Sequence, residues 1–230
     1  MLEDLDGFLL VDKPAGIAFS TVVKTVKRKF NLVKVGHGGS LDTSASGLLI
    51  LLVNDANKFT AEVMGADRVH AGVMRLGERT DTHDIYGRRL SENGAMPVRG
   101  DFDKALAEFK GDIFQTEPRF CSVRREGAAQ YEIADTGDHG RFMSHVYRFA
   151  VSEFDPPMVA FEVSGTKSLL VRTLVNDIGE SLGCGACLES LRRTKIGKFS
   201  VDDAIAFDRL LETEIGDFSS CVMPLSAALR

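Results

Sequence analysis

Apolar and polar positions follow no single rhythm along this chain, and the elements they predict are mostly strands with a few scattered helices. Gly7 to Val11 (GFLLV) reads as a short buried strand, closed by the breaker Lys13-Pro14-Ala15-Gly16. Ser20 or Thr21 is placed to cap a helix running to about Phe30, with Val22, Val23, Val26 and Phe30 on one face and Lys24, Lys27 and Arg28 on another. A Gly/Ser/Thr-rich loop, Gly36 to Gly47, separates that helix from the apolar strand Leu48 to Val53. The spacing then predicts a helix from about Asn57 to Met64, an alternating strand from Arg68 to Leu76, a turn-rich stretch from Thr80 to Gly87 and an amphipathic helix from Phe102 to Phe109. Strand-like segments follow at Phe120–Arg124, His145–Glu153 and Met158–Val163. A helix is expected from about Val171 to Leu182, ended by Gly183, then extended chain from Ala186 to Lys198 and a short helix near Val201. The order lacks a βαβ rhythm, so the expected class is α+β, with a mixed or antiparallel sheet.

Composition narrows the picture. The chain has 230 residues, enough to bury a substantial core in one elaborated domain or two small ones. With 44% hydrophobic and 27% charged residues it reads as an ordinary globular protein. The longest apolar run, Gly47 to Val53, is a strand's length and far below the roughly 18 residues that span a bilayer. Glu3, Asp4 and Asp6 at the start do not fit a signal peptide, so a cytoplasmic, membrane-free protein is expected. Cys184 and Cys187 form a lone C-x-x-C with no second ligand pair, which reads as reduced thiols in preference to a zinc or redox site. The net charge of −5 argues mildly against nucleic-acid binding. Its distribution points the other way. Basic residues gather at Lys24–Lys34, at Arg119, Arg124 and Arg125, and at Arg192–Lys198, while acids concentrate at 101–112 and 202–217. Solvated helix faces account for any one cluster equally well.

On spacing alone, the loop GHGGSLDTSASG (Gly36 to Gly47) is the site candidate. It sets one acid and one histidine among small residues, between a basic helix and a buried strand. Asp42 equally suits an Asx-turn with Ser44. The same stretch, continued as GHGGSLDTSASGLL, resembles motif II of the TruB family of pseudouridine synthases, GHxGTLDPxATGxL. Further stretches match in order: DKPAG (Asp12–Gly16), LGERTDTHDIYG (Leu76–Gly87) and VRTLVNDIGESLGCGACLESLRRTKIGKF (Val171–Phe199). A weaker match is EPRFCSVRREGAAQYEIADTG (Glu117–Gly137).

The resemblance implies a pseudouridine-synthase fold, α+β with a central, mostly antiparallel mixed sheet and a catalytic cleft. It implies isomerisation of a uridine in the T-arm loop of tRNA after the base is flipped out. Asp42 then takes the place of the catalytic carboxylate, and Arg172 that of the arginine paired with it. His37 matches a position that contacts the RNA, Lys13 one that supports the active-site loop, and Leu191 an apolar residue near the flipped base. Asp84 matches a buried structural acid. Arg192 and Arg193 suit phosphate contacts or surface salt bridges equally. No metal or redox cofactor is implied, and the expected state is a monomer with no protein partner, bound to the tRNA T-arm.

The chain departs from the family pattern around the base pocket. His70 stands where the family has a tyrosine that stacks on the uracil, and imidazole offers both a smaller face and a base near neutral pH. Leu170 and Phe120 replace two more tyrosines, Arg124 a lysine, and Thr43 the proline after the aspartate. These changes predict a reduced rate or altered target, and leave open a catalytically weak RNA-binding relative or a synthase of another RNA. A segment at about 112–138 is expected as an RNA-clamping insertion in a single catalytic domain. No C-terminal PUA-type domain of the kind many relatives carry is expected.

Overall fold

The structure, a computed structural model, describes residues 5–92, 94–123, 132–135, 137 and 140–228. In chain order the elements begin with β1 (Gly7–Lys13), α1 (Phe19–Lys29), β2 (Val35–His37), β3 (Ser46–Val53), α2 (Thr60–Gly65) and β4 (Arg68–Leu76). They continue with β5 (Glu78–Thr80), β6 (Arg89–Glu92), α3 (Arg99–Ala107), β7 (Gly111–Gln115), β8 (Phe120–Val123), β9 (Glu132–Asp135), β10 (Phe142–Asp155) and β11 (Met158–Gly165). The last are α4 (Val171–Ser181), β12 (Ala186–Ile196), β13 (Phe199–Ser200), β14 (Ile205–Ala206), α5 (Phe207–Glu212), β15 (Met223–Pro224) and α6 (Leu225–Ala228). They gather into two compact units, Met1–Ala66 with Arg192–Arg230, and Asp67–Leu191.

In the first unit β3 is the central strand. It pairs antiparallel with β1 along the whole length of β1, from Gly7↔Val53 to Lys13↔Gly47, and antiparallel with β2. The end of β12 runs parallel to it, Arg192↔Ser46 and Arg193↔Gly47. Every residue from Leu48 to Val53 is fully buried. Leu49, Leu51 and Val53 join Leu9 and Val11 under α1 and α5, whereas Leu48, Ile50 and Leu52 join Phe8 and Leu10 on the opposite face. A strand buried on both faces shows no alternation, which is why this run is apolar throughout. Each such side chain contributes on the order of 1.5–3 kcal/mol, so β3 anchors both cores. Helix α1 lays Val22 and Val26 on the first of them, and Phe30 just beyond its end stacks on Phe218 with ring centroids 3.9 Å apart.

In the second unit the sheet runs β12, β4, β11, β10, β7. The β4–β11, β11–β10 and β10–β7 pairings are antiparallel. Helix α4 covers it with Val171, Leu174, Val175 and Ile178, against Met74, Val159, Phe161 and Val163. Hairpins β5–β6 and β8–β9 lie outside this sheet. The expected α+β class with a mostly antiparallel sheet is what forms. The β1–β14 and β3–β12 pairs are parallel.

Several boundaries differ from expectation. Neither Ser20 nor Thr21 caps α1: the cap is Ala18, whose carbonyl accepts from Thr21 and Val22, and no side-chain cap bond forms. The helix expected at 57–64 is a 3₁₀ segment, Asn54–Phe59, followed by α2. Asn54 at φ 46° starts it, and the Asn57 side chain donates to the carbonyls of Leu52 and Asn54 at 2.9 and 2.8 Å. These local side-chain bonds compete with an α-turn. Strand β7 was not expected. Of the segment at 112–138, residues 124–131, among them Arg124 and Arg125, lie outside the described residues.

At Gly179 a Cβ would meet the Ala186 backbone nitrogen at 2.2 Å, because α4 and the start of β12 are in backbone contact. Gly→Ala in a helix ordinarily stabilises by roughly 1 kcal/mol. At Gly179 the sign reverses: Gly179→Ala is expected to destabilise by about 2 kcal/mol or more, read as a lower midpoint in urea unfolding.

Candidate functional site

The Gly36–Gly47 loop leaves and rejoins the sheet at glycines, for steric reasons. At Gly38, whose N–H donates to the Ile50 carbonyl at 2.8 Å, a Cβ would lie 2.3 Å from Val63. At Gly47 φ is +103° and a Cβ would lie 2.3 Å from the Arg193 carbonyl. Only glycine allows the loop to pass this close to β12.

Two buried cations hold the loop. Arg193 is 2% exposed, and its guanidinium donates to the carbonyls of Leu48 at 2.9 Å, Ser40 at 2.7 Å and Gly39 at 3.3 Å. Lys13 is fully buried, and its Nζ donates to the carbonyls of Pro14 at 2.9 Å, Ile17 at 2.8 Å and Thr43 at 3.4 Å. The Gly16 N–H donates to the same Thr43 carbonyl at 2.7 Å, tying the DKPAG turn to the loop. Arg193 thus grips the stretch before Asp42 and Lys13 the residue after it. Leu41 and Ala45 are buried on either side, while Asp42 is exposed. An exposed carboxylate therefore rides on a backbone fixed from both ends. Its negative charge opposes the burial that lowers the Lys13 pKa to about 8, and the Arg193 charge adds to the lowering.

His37, half-buried at the end of β2, packs its ring on Phe19 with centroids 4.9 Å apart. Its Nδ1 accepts from the Gly39 N–H at 3.3 Å, and burial lowers its pKa. A neutral ring whose Nδ1 accepts carries its proton on Nε2, a single donor. Arg192 turns the opposite way from Arg193, as strand neighbours do. It forms a two-point ion pair with Asp12 at 2.9 and 2.7 Å and stays partly exposed. The sequence offered Arg193 to a phosphate or a surface salt bridge; the structure spends its fork on loop carbonyls.

The second unit carries the other expected residues. Arg172, in the first turn of α4, donates to the Thr82 carbonyl at 3.2 Å. Asp84 is 3% exposed and accepts from Thr82 Oγ1 at 2.7 Å and from the Tyr86 N–H at 3.0 Å, so it is the buried acid that shapes the Thr80–Gly87 turn. His70 is 6% exposed near the start of β4, opposite Val163. Leu191 is partly buried against the core under α4. Leu170 is half-buried at the start of α4.

Two residues escaped the sequence reading. Gln115, 1% exposed on β7, pairs reciprocally with the Leu170 backbone: its Oε1 accepts from the N–H and its Nε2 donates to the carbonyl, both at 3.0 Å. This fixes the chain two residues before Arg172. His83 sits at φ 62°, and burial together with the charges of Arg172 and Arg79 lowers its pKa to about 4. Nothing in the local sequence marked Gln115, and His83 occupies a variable position of the motif around Asp84. Among the described residues no group of His, Cys, Asp and Glu side chains is arranged to hold a metal ion. Cys184 and Cys187 are buried free thiols, and burial pushes Cys187 up to about 12.

Comparison with known proteins places these residues in context. The family model described as "TruB family pseudouridylate synthase (N terminal domain)" matches residues 27–171, and "tRNA pseudouridylate synthase B C-terminal domain" matches residues 172–230. The chain is 37% identical over 229 residues to tRNA pseudouridine synthase B of Burkholderia lata, covering 98% of this chain and 71% of that protein. It is 37% identical over 212 residues to the Pseudomonas aeruginosa protein of the same name, covering 90% and 69%. Among solved structures it is similar to a chain of a Cbf5-Nop10-Gar1 complex, with TM-score 0.73 and 26% identity over 96% of this chain. A chain of an H/ACA RNP bound to a substrate RNA containing 2'-deoxyuridine matches with TM-score 0.72 and 25% identity. The chain spans about three fifths of these two solved chains, 61% and 60%. No helix of the described residues is long and apolar enough to cross a membrane.

Arg193 has a direct test. Arg193→Lys keeps the charge but loses the fork that reaches three carbonyls. Chemical denaturation is expected to show a loss of about 2–4 kcal/mol; a change within experimental error means the loop does not depend on the fork.

Proposed function

The chain belongs to the TruB family of pseudouridylate synthases, and we propose that it isomerises a uridine in the T-arm loop of tRNA to pseudouridine with Asp42 as the catalytic carboxylate. The observation that carries this reading is the exposed Asp42 carboxylate on a loop gripped on both sides by buried Arg193 and Lys13. The likeness to proteins named tRNA pseudouridine synthase B, over 98% of the chain in one case, supports tRNA as the substrate.

The reaction is an isomerisation. The C1′–N1 glycosidic bond breaks, the detached uracil turns, and a C1′–C5 bond forms. C5 gives up its hydrogen and N1 gains one, so nothing is oxidised or reduced. An ionised carboxylate serves glycosidic cleavage either as nucleophile or by stabilising positive charge at the sugar. A rigid backbone holds it at the place where that charge develops, at no cost of reorganisation during the step. His37, whose Nδ1 is taken by the Gly39 N–H and whose Nε2 is left as the donor, suits a contact to the RNA that holds the target nucleotide out of its loop. Lys13 and Arg193 position the loop. Arg172, set by the Thr82 carbonyl and by the Gln115 clamp two residues earlier, takes the supporting role of a guanidinium in the reaction. His70 is assigned the place of a proton acceptor and Leu170 and Leu191 an apolar surround for the base. Arg192 is engaged at two points by Asp12, so a phosphate reaches it only by displacing that carboxylate.

Tritium release from 5-tritiated uridine in a T-arm stem-loop tests the reading. Wild type is expected to release tritium, and Asp42→Asn to lower the rate by at least about a thousandfold, in line with removal of a central catalytic group. Release by neither, with RNA binding intact, would mean a binding protein of synthase fold.

Lys13 makes a second prediction, in pH. Its ammonium is held near 8 against the ordinary 10.5, chiefly by burial. Between those values the unfolded chain keeps a proton that the folded chain has lost, so this group makes the fold more stable as pH rises. Loss of activity over the same range is therefore not unfolding through Lys13. Turnover is expected to fall above pH about 8 as the charge beside Asp42 disappears, and Lys13→Met to be slower and to lack that limb. A wild-type profile flat to pH 10 would overturn it.

A further inference from the structure

Between Ala15 and Leu41 there is no Asp or Glu, while Lys24, Lys27, Arg28, Lys29 and Lys34 all fall within it. In a chain of net charge −5 this is a one-sign segment, and it ends at Asp42. Helix α1 divides it by face. Val22 and Val26 go to the core, and Lys24, Lys27 and Arg28 stand exposed at i, i+3 and i+4, continued by exposed Asn31 and Lys34. Phe19, at the start of the same helix, packs on His37.

Several exposed cations elsewhere are held by acids of the same chain. Lys58 pairs with Asp55, Arg89 with Glu78 and Glu92, Arg99 with Asp103, and Arg148 with Glu162. Among the described residues no ion pair engages Lys24, Lys27, Arg28 or Lys34. Surface ion pairs are worth little for stability, so leaving these four unpaired costs the fold little. It keeps their charge available to an anionic partner.

We propose that the exposed face of α1, continued by Lys34, is a track for the phosphates of the substrate RNA. It gives electrostatic affinity next to the loop that carries Asp42 and His37. This rests on the reading that the substrate is RNA. The occupant is a run of consecutive phosphates and not a base, because the face offers Lys and Arg head groups and no exposed aromatic ring for stacking.

The test is the triple variant Lys24→Glu, Lys27→Glu, Arg28→Glu in the full chain, with Lys110→Glu as the control for a charge change elsewhere. Binding of a fluorescein-labelled T-arm stem-loop is measured at several KCl concentrations, and tritium release is followed over RNA concentration. Thermal melting checks the fold of each variant. Reversal is expected to weaken binding by at least about tenfold at low salt and to flatten the plot of log K against log salt by about 2–3. The loss should appear in KM, with the rate recovering at saturating RNA. Lys110→Glu is expected to leave the slope in place. Unchanged affinity and slope in the folded triple variant would overturn the proposal, as would an equal loss with Lys110→Glu. If wild type binds the stem-loop without turnover, the synthase reading fails while the slope still decides the α1 track. If wild type turns over and the triple variant matches it, only the track fails.

Discussion

The guanidinium of Arg193 is the constraint on which the site depends. A charge withdrawn from water to 2% exposure costs several kcal/mol unless its donors are met. They are met by carbonyls of Gly39, Ser40 and Leu48, and the path the loop takes brings all three within reach. A path that withdrew these carbonyls would leave donors of a buried cation unmet. The loop is therefore rigid although it is rich in glycine and serine. The same residue sits opposite Gly47 in the β3–β12 register, at a distance no side chain would permit. Cation, glycine and doubly buried strand form one device: β3 supplies the anchor, Gly47 the approach, and Arg193 the grip.

Lys13 completes it from the other side at a different energetic cost. Its pKa near 8 shows that burial outweighs the help of Asp42. An ammonium is compact and strongly hydrated, so it pays more on burial than a guanidinium does. The Lys13 grip is thus titratable close to neutrality, and the Arg193 grip is not. A carboxylate between two such groups has its counter-charge in place before any substrate arrives. Electrostatic preorganisation of this kind takes its cost at folding and not during the reaction.

Much of this was legible from residues. The unbroken run Leu48–Val53 reads as a buried strand by its length, and it is one with apolar neighbours on both faces; β4 formed at its expected limits, Arg68–Leu76. The loop around Asp42 stood out by its glycines. What stayed hidden depended on partners distant in sequence. Arg192 and Arg193 read alike as basic residues, yet strand alternation sends one to Asp12 and the other inward. Gln115 carries no local signal, because its reciprocal bonds go to Leu170, 55 positions away. The cap expected at Ser20 or Thr21 failed because the chain is already helical there, with Ala18 accepting the first bonds. Near Asn57, side-chain amides won over helical periodicity.

Net charge was the least informative quantity of all. A total of −5 taken alone argues against an RNA substrate. Interaction with a polyanion is decided instead by which cations are already neutralised. At Arg89 and Arg99 carboxylates of the same chain occupy the head group, and a phosphate would have to displace them. On α1 the acids are absent from the sequence itself, from Ala15 to Leu41, so no rearrangement is required. Removing acids from one segment, and holding the acid that follows it on a clamped loop, sets a basic helix face and an exposed carboxylate in one stretch of an acidic protein. On the proposed track the opposition of sign is useful: the cations would draw the RNA backbone in, while the repulsion between Asp42 and phosphates would favour a register in which a sugar and base, not a phosphate, faces the carboxylate.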